Sequence, residues 1–177
     1  MKLVLVSCCA PCSSGAIKQL ADRAIPDVDD FVVLFFNPNI YPAAEYEKRM
    51  AEQIKYCDAI GVKHVELEYD HDAWRDAVAG LEGEPERGAR CSVCFEYRFR
   101  RAAAWARANG YDAVASVLGV SRHKDQSQVD RAATNAMSDN VIYQPIKWDE
   151  SLRQQIGRAS DFYRQNYCGC EFSIRKV

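Results

Sequence analysis

Ser7-Cys8-Cys9-Ala10-Pro11-Cys12-Ser13-Ser14-Gly15 follows the apolar run Leu3 to Val6 and leads straight into a helical pattern. Residues 2–6 read as a buried strand, so three thiols fall where that strand hands over to a helix N-terminus. Backbone N–H groups and the helix dipole there favour anions and lower a thiol pKa. It is the thiolate that binds metal and attacks disulfides. The stretch therefore reads as a redox or metal centre. Ser13 or Ser14 is the expected helix cap, and Ile17, Leu20 and Ala24 form the buried face.

Outward from this stretch, strand and helix patterns alternate. Residues 31–36 form a second, wholly apolar strand that ends at Asn37-Pro38-Asn39-Ile40-Tyr41-Pro42. A helix over 43–60 stops at Gly61, and Tyr46, Met50, Ile54, Cys57 and Ile60 form its apolar face. Cys57 therefore belongs to the core. A third strand covers 62–69 and a short helix 73–81; a charged loop over 82–90 then delivers Cys91-Ser92-Val93-Cys94 to a long helix ending near Asn109. The fourth strand, 113–118, exits through Ser121-Arg122-His123-Lys124-Asp125. A helix over 126–137, a short strand over 141–143 and a helix over 151–163 lead to Tyr167-Cys168-Gly169-Cys170. The alternation predicts a single α/β domain over residues 1–177. Its mainly parallel, doubly wound (Rossmann-like) sheet has about five strands with helices on both faces. The loops after strands one, two and four should converge beyond the carboxyl edge of that sheet.

With 177 residues, 48% of them hydrophobic, the chain can bury a core, and 6 prolines with 9 glycines leave no room for a long flexible linker. The N-terminal apolar run is too short for a signal peptide or a membrane span, so the expectation is a cytoplasmic protein with no membrane partner. A formal charge of −2 offers no global attraction to nucleic acid, so RNA binding would need a local basic patch. The 8 cysteines cluster as Cys8, Cys9 and Cys12, as Cys91 and Cys94, and as Cys168 and Cys170, which reads as metal ligation or redox pairing rather than a disulfide framework.

Cys8, Cys9, Cys91 and Cys94 supply four thiolates, enough for zinc or an iron–sulfur cluster. Adjacent Cys8-Cys9 fits the usual two-knuckle zinc pattern badly, which favours the cluster. Cys168-Gly169-Cys170 reads either as a reducible pair closing a small strained ring or as further metal ligands. Other polar motifs have plainer readings. Asn37-Pro38-Asn39 can be a turn, Glu45 and Arg49 a surface ion pair, and Arg98, Arg100, Arg101 and Arg107 a solvated helix face. His64 and His71 lack paired ligand spacing and read as structural.

These motifs together resemble the cobalamin-independent epoxyqueuosine reductases, the QueH family. The resemblance is carried by Cys8-Cys9-Ala10-Pro11-Cys12, Phe36-Asn37-Pro38-Asn39-Ile40 with Pro42, Glu45-Tyr46 with Arg49, and Arg90-Cys91 with Cys94. It continues through Leu118-Gly119-Val120-Ser121-Arg122-His123-Lys124 and Phe162-Tyr163 into Tyr167-Cys168-Gly169-Cys170. It implies the last step of queuosine synthesis, in which the epoxide oxygen is removed reductively from epoxyqueuosine at the tRNA anticodon wobble position. It further implies a 4Fe–4S cluster on Cys8, Cys9, Cys91 and Cys94, a redox-active Cys168 and Cys170, an external electron donor and no cobalamin. Some relatives carry an acidic residue where Cys12 stands, which makes Cys12 a candidate ligand for an additional mononuclear iron. Asn37, Asn39, Glu45, Arg49, Ser121, Arg122 and Lys124 are the substrate-binding candidates, with Arg122, Lys124 and the 98–101 helix turn as the expected basic patch.

Two other readings compete. A tRNA-thiolating enzyme of the pyrophosphatase-loop type also joins an α/β sheet to cysteine-held clusters, but it needs a Gly-rich, Ser-ending phosphate loop where this chain has Cys8-Cys9-Ala10-Pro11-Cys12. The other is a zinc-stapled RNA-binding domain, which would be colourless.

Overall fold

A computed structural model describes residues 1–137 and 140–174. Its central strand, β1 (Lys2–Ser7), is buried at every position after Lys2 because both faces carry helices. The other strands are β2 (Asp30–Phe35), β3 (His64–Glu66), β4 (Ala113–Ser116) and β5 (Ile142–Tyr143). All neighbouring strands pair in parallel, in the order β3-β2-β1-β4-β5.

The helices are α1 (Ala10–Ala21), α2 (Ala43–Ala59), α3 (His71–Ala77), α4 (Ala89–Ala108), α5 (Gln126–Ala136) and α6 (Glu150–Ala159). Alternate residues of the strands face opposite layers. Leu3, Leu5, Val33, Ala113 and Ala115 pack with Ile17 and Leu20 of α1 and Cys57 of α2. Val4, Val6, Val32, Leu34 and Val114 pack with Phe95, Phe99 and Ala102 of α4 and Val129 and Ala133 of α5. Neighbour order reverses between β1 and β4, so the loops that follow these two strands part and leave a crevice at the carboxyl edge.

Four local expectations are corrected. Cys9, not Ser13 or Ser14, is the N-cap of α1, because Pro11 starts the helix at once; Ser13 Oγ instead donates to the Cys9 carbonyl at 2.9 Å. Ala24 lies beyond the end of α1 and is exposed. β3 is shorter than the expected 62–69, since it pairs only with Val33, Leu34 and Phe35 and the chain then turns so that Tyr69 donates its hydroxyl to the Ile40 carbonyl at 2.7 Å. α6 ends at Ala159 rather than 163; Ser160 is extended and the chain runs back toward the cysteines.

Candidate functional site

Helix α2 carries the least expected surface. Its buried residues are Tyr46, Arg49, Gln53 and Cys57, while Met50 and Ile54 are only partly covered. The side chains of Arg49 and Glu45 are 1% and 11% exposed, so this is no surface ion pair. Arg49 Nε donates to Glu45 at 2.7 Å, and its guanidinium also reaches the carbonyls of Cys168 at 3.2 Å and Tyr167 at 3.4 Å. Glu45 additionally accepts from the Tyr163 hydroxyl at 3.0 Å. The pair thus clamps the segment that carries Cys168 and Cys170. Gln53, with no warning in the motifs, accepts from the hydroxyls of Ser7 and Ser13, both at 2.7 Å, beneath the cysteine loop. Cys57 is fully buried and burial pushes its thiol up to about 11, as a core cysteine should be.

The loops after β1, β2 and β4 do converge. Asn37 donates to the Ser7 carbonyl at 2.9 Å and accepts from Arg98. Arg98 is 1% exposed and also bonds the Phe36 carbonyl, so it is not part of a surface patch. Lys124 Nζ lies 3.6 Å from Cys8 Sγ. Gly169 has φ +107°, and a Cβ there would sit 2.9 Å from Arg49 Nη1, so only glycine fits between the two terminal cysteines. This segment joins the Ile40 loop through the Tyr41 N–H, which donates to the Gly169 carbonyl at 2.9 Å.

Seven cysteines gather in two groups. The sulfurs of Cys8, Cys9 and Cys12 lie within 4.8 Å of one another. Cys91, Cys94, Cys168 and Cys170 line one small cavity with Asn39, Trp74, Arg98 and Lys124. Lys124 stands at the junction, facing this cavity and the larger cleft beyond it. Hydrogen bonds from Cys12 and Cys9, aided by Lys124 and Arg98, hold the Cys8 thiol well below its usual range. The hydrogen bond from Cys170, aided by Lys124, lowers Cys168 to about 5. Burial pushes Cys91 and Cys94 up. Burial works against the Lys124 charge, but Cys8, Cys168 and Cys12 together outweigh it and the ammonium is favoured. Further donors point at sulfur: Arg87 N–H at 3.3 Å from Cys91, and Gln165 Nε2 at 2.7 Å from Cys9. Buried sulfurs, close together and met by N–H donors and a cation, fit a thiolate-held metal centre.

Cys12 also opens onto a cleft of about 980 Å³ lined by Ser121, Arg122, Lys124, Arg87, Arg153, Arg158, Arg164 and Gln165. Of the substrate-binding candidates, Ser121, Arg122 and Lys124 line this cleft, Asn39 lines the small cavity, and Asn37, Glu45 and Arg49 serve the framework behind them. The arginines of α6 and its exit segment were missed because they belong to none of the cysteine motifs. No helix among the described residues is long and apolar enough to cross a membrane.

Comparison with known proteins agrees with the geometry. Residues 3–176 match the family model described as epoxyqueuosine reductase QueH. Proteins of that name from Histophilus somni and Haemophilus influenzae are each 39% identical, over 98% of this chain and 72% of theirs. One from Dehalococcoides mccartyi is 30% identical over 97% of this chain and 92% of its own. Among solved structures, the U34-tRNA thiolase NcsA of Methanococcus maripaludis, with its 4Fe–4S cluster, superposes with a TM-score of 0.61 at 12% identity, over 99% of this chain and 62% of that one. A predicted tRNA methyltransferase subunit from Methanocaldococcus jannaschii gives 0.53, also at 12% identity, over 89% of this chain and 74% of that one. These two likenesses show a shared fold. The sequence matches show more: the chain belongs to the epoxyqueuosine reductase QueH family.

Proposed function

We propose that residues 1–177 act as one domain that reduces epoxyqueuosine at the tRNA wobble position to queuosine. The epoxide oxygen leaves as water and an alkene forms, which consumes two electrons and two protons. The observation that carries this reading is a sulfur cluster opening, through Cys12, onto an arginine-lined cleft in a chain of this family.

Cys8, Cys9, Cys91 and Cys94 are the ligands for a 4Fe–4S cluster, with Cys12 toward an additional iron. When bound, the additional iron would supply a Lewis acid for the epoxide oxygen and the cluster would supply single-electron transfer. The protein's own groups do the rest. Lys124 places a positive charge against Cys8 at the cleft floor, where negative charge develops as the C–O bond opens. Arg122, Arg158 and Arg164, all exposed along the cleft, meet the phosphates of the anticodon loop. Cys168 and Cys170, held by the Arg49–Glu45 clamp, either ligate metal or supply the two electrons and two protons by closing to a disulfide. An external donor then returns that disulfide to the dithiol.

The test is anaerobic incubation of the reconstituted protein and a low-potential reductant with tRNA carrying epoxyqueuosine, then nuclease digestion and mass spectrometry. The expected product nucleoside is lighter by one oxygen atom. An unchanged nucleoside in the presence of a fully loaded centre contradicts the reading.

A further inference from the structure

Gln165 belongs to none of the cysteine motifs, yet it touches the centre directly. It sits on the extended segment that returns from α6, and its Nε2 lies 2.7 Å from the sulfur of Cys9, itself fully buried. Its Oε1 is buried and has no hydrogen-bond partner, although the residue lines the cleft. The orientation of the amide follows from the chemistry of its neighbour. A metal-binding thiolate accepts hydrogen bonds and donates none, so the NH₂ end must face Cys9 and the carbonyl end must face away. An acceptor left unpaired out of water is unfavourable until a donor reaches it. Arg158, Phe162 and Arg164 line the same cleft, yet neither arginine donates to this oxygen, which leaves the donor to a molecule that enters the cleft.

We propose that Gln165 is a positioning and specificity residue: its carbonyl oxygen accepts a hydrogen bond from the epoxide-bearing substituent of the wobble nucleoside while its N–H holds the Cys9 sulfur. This rests on the reading of the cleft as the nucleoside site. The substituent, rather than the base or the backbone, is the part that must reach the cysteines, so its N–H or O–H groups are the donors within range. One side chain then links recognition of the modification to the electronic state of the centre, because hydrogen bonds to ligand sulfur raise the potential of an iron–sulfur centre.

The test uses anaerobically reconstituted protein as wild type, Gln165→Met and Gln165→Glu. Dissociation constants are measured for tRNA carrying epoxyqueuosine and for the same tRNA with unmodified guanosine, and the midpoint potential is measured by redox titration. Met has similar length but neither polar end, so the preference for modified tRNA should fall about tenfold, as loss of one hydrogen bond implies, with binding of unmodified tRNA unchanged. Glu keeps an acceptor and loses the donor, so it should retain most of that preference. Both variants should lower the midpoint potential at unchanged iron content. An unchanged preference in Gln165→Met, or a wild-type potential in both variants, overturns the proposal. Should Gln165→Met fail to load iron, a wild-type potential in Gln165→Glu overturns it on its own. A wild-type protein that loads its centre and leaves epoxyqueuosine unreduced overturns the reading of the cleft instead.

Discussion

At the scale of single residues, the floor beneath the cysteines is polar and fully enclosed. Gln53 is 1% exposed and satisfies two hydroxyls, those of Ser7 and Ser13, that are themselves 0% exposed. Gln53→Leu leaves the Ser7 hydroxyl without an acceptor, whereas Ser13 can still donate to the Cys9 carbonyl, and we expect a loss of about 1–3 kcal/mol, read as a lower urea midpoint at unchanged slope. Cys57→Ala, one turn along the same helix, should cost some packing and leave iron binding intact, because its sulfur faces core residues of the layer opposite to the Cys91 helix. The two terminal cysteines are separated by a different experiment: trapping free thiols after one anaerobic turnover. A disulfide between Cys168 and Cys170 appearing in step with product identifies a cycling dithiol. Persistent thiols, together with iron loss in the Ser variants, identify ligands. The core role of Cys57 was legible from helical spacing. The burial of Arg49 was not, because periodicity counts apolar side chains, whereas Arg49 finds its partners at Tyr167 and Cys168, 118 and 119 residues away.

At the scale of elements, α1 and α6 are in backbone contact. A Cβ on Gly15 would stand 2.9 Å from the backbone of Arg153, so Gly15→Ala must push α6 outward. The expected cost is about 1–3 kcal/mol in a denaturation curve. Because Arg153, Gln154 and Arg158 of α6 wall the cleft, tRNA affinity should fall as well. A variant with wild-type stability and affinity would show that this contact is not tight. The strand–helix order was readable partly because two of the helix-to-strand changes carry a glycine stop signal, Gly61 after α2 and Gly110 after α4, both at positive φ. The end of α6 was not readable. The helical pattern continues past Ala159, and what turns the chain is tertiary, notably the Tyr163 N–H donating to Glu52 at 2.6 Å. The start of α1 was misplaced for a related reason: Ser13 and Ser14 are good caps in isolation, but Pro11 and the N-cap Cys9 begin the helix before them.

At the scale of the molecule, a net charge of −2 coexists with a cleft walled by arginines, so affinity for tRNA should be local and salt-dependent. Arg158→Glu and Arg164→Glu should weaken binding and flatten the log–log salt dependence by roughly 0.7–0.9 per lost phosphate contact. Arg100→Glu and Arg101→Glu, exposed on α4 and absent from the cleft wall, should do far less; equal effects from both pairs would move the RNA off the cleft. The central claim is that Cys8 and Cys9, at the start of α1, and Cys91 and Cys94, in the first turns of α4, hold one iron–sulfur centre. Iron, zinc and acid-labile sulfide, counted per chain after anaerobic purification of wild type, Cys91→Ser and Cys57→Ala, test it most directly. The account predicts about four cluster irons with matching sulfide in wild type and Cys57→Ala, and severe loss of both in Cys91→Ser. Zinc in place of iron, or full iron and sulfide in Cys91→Ser, would contradict it.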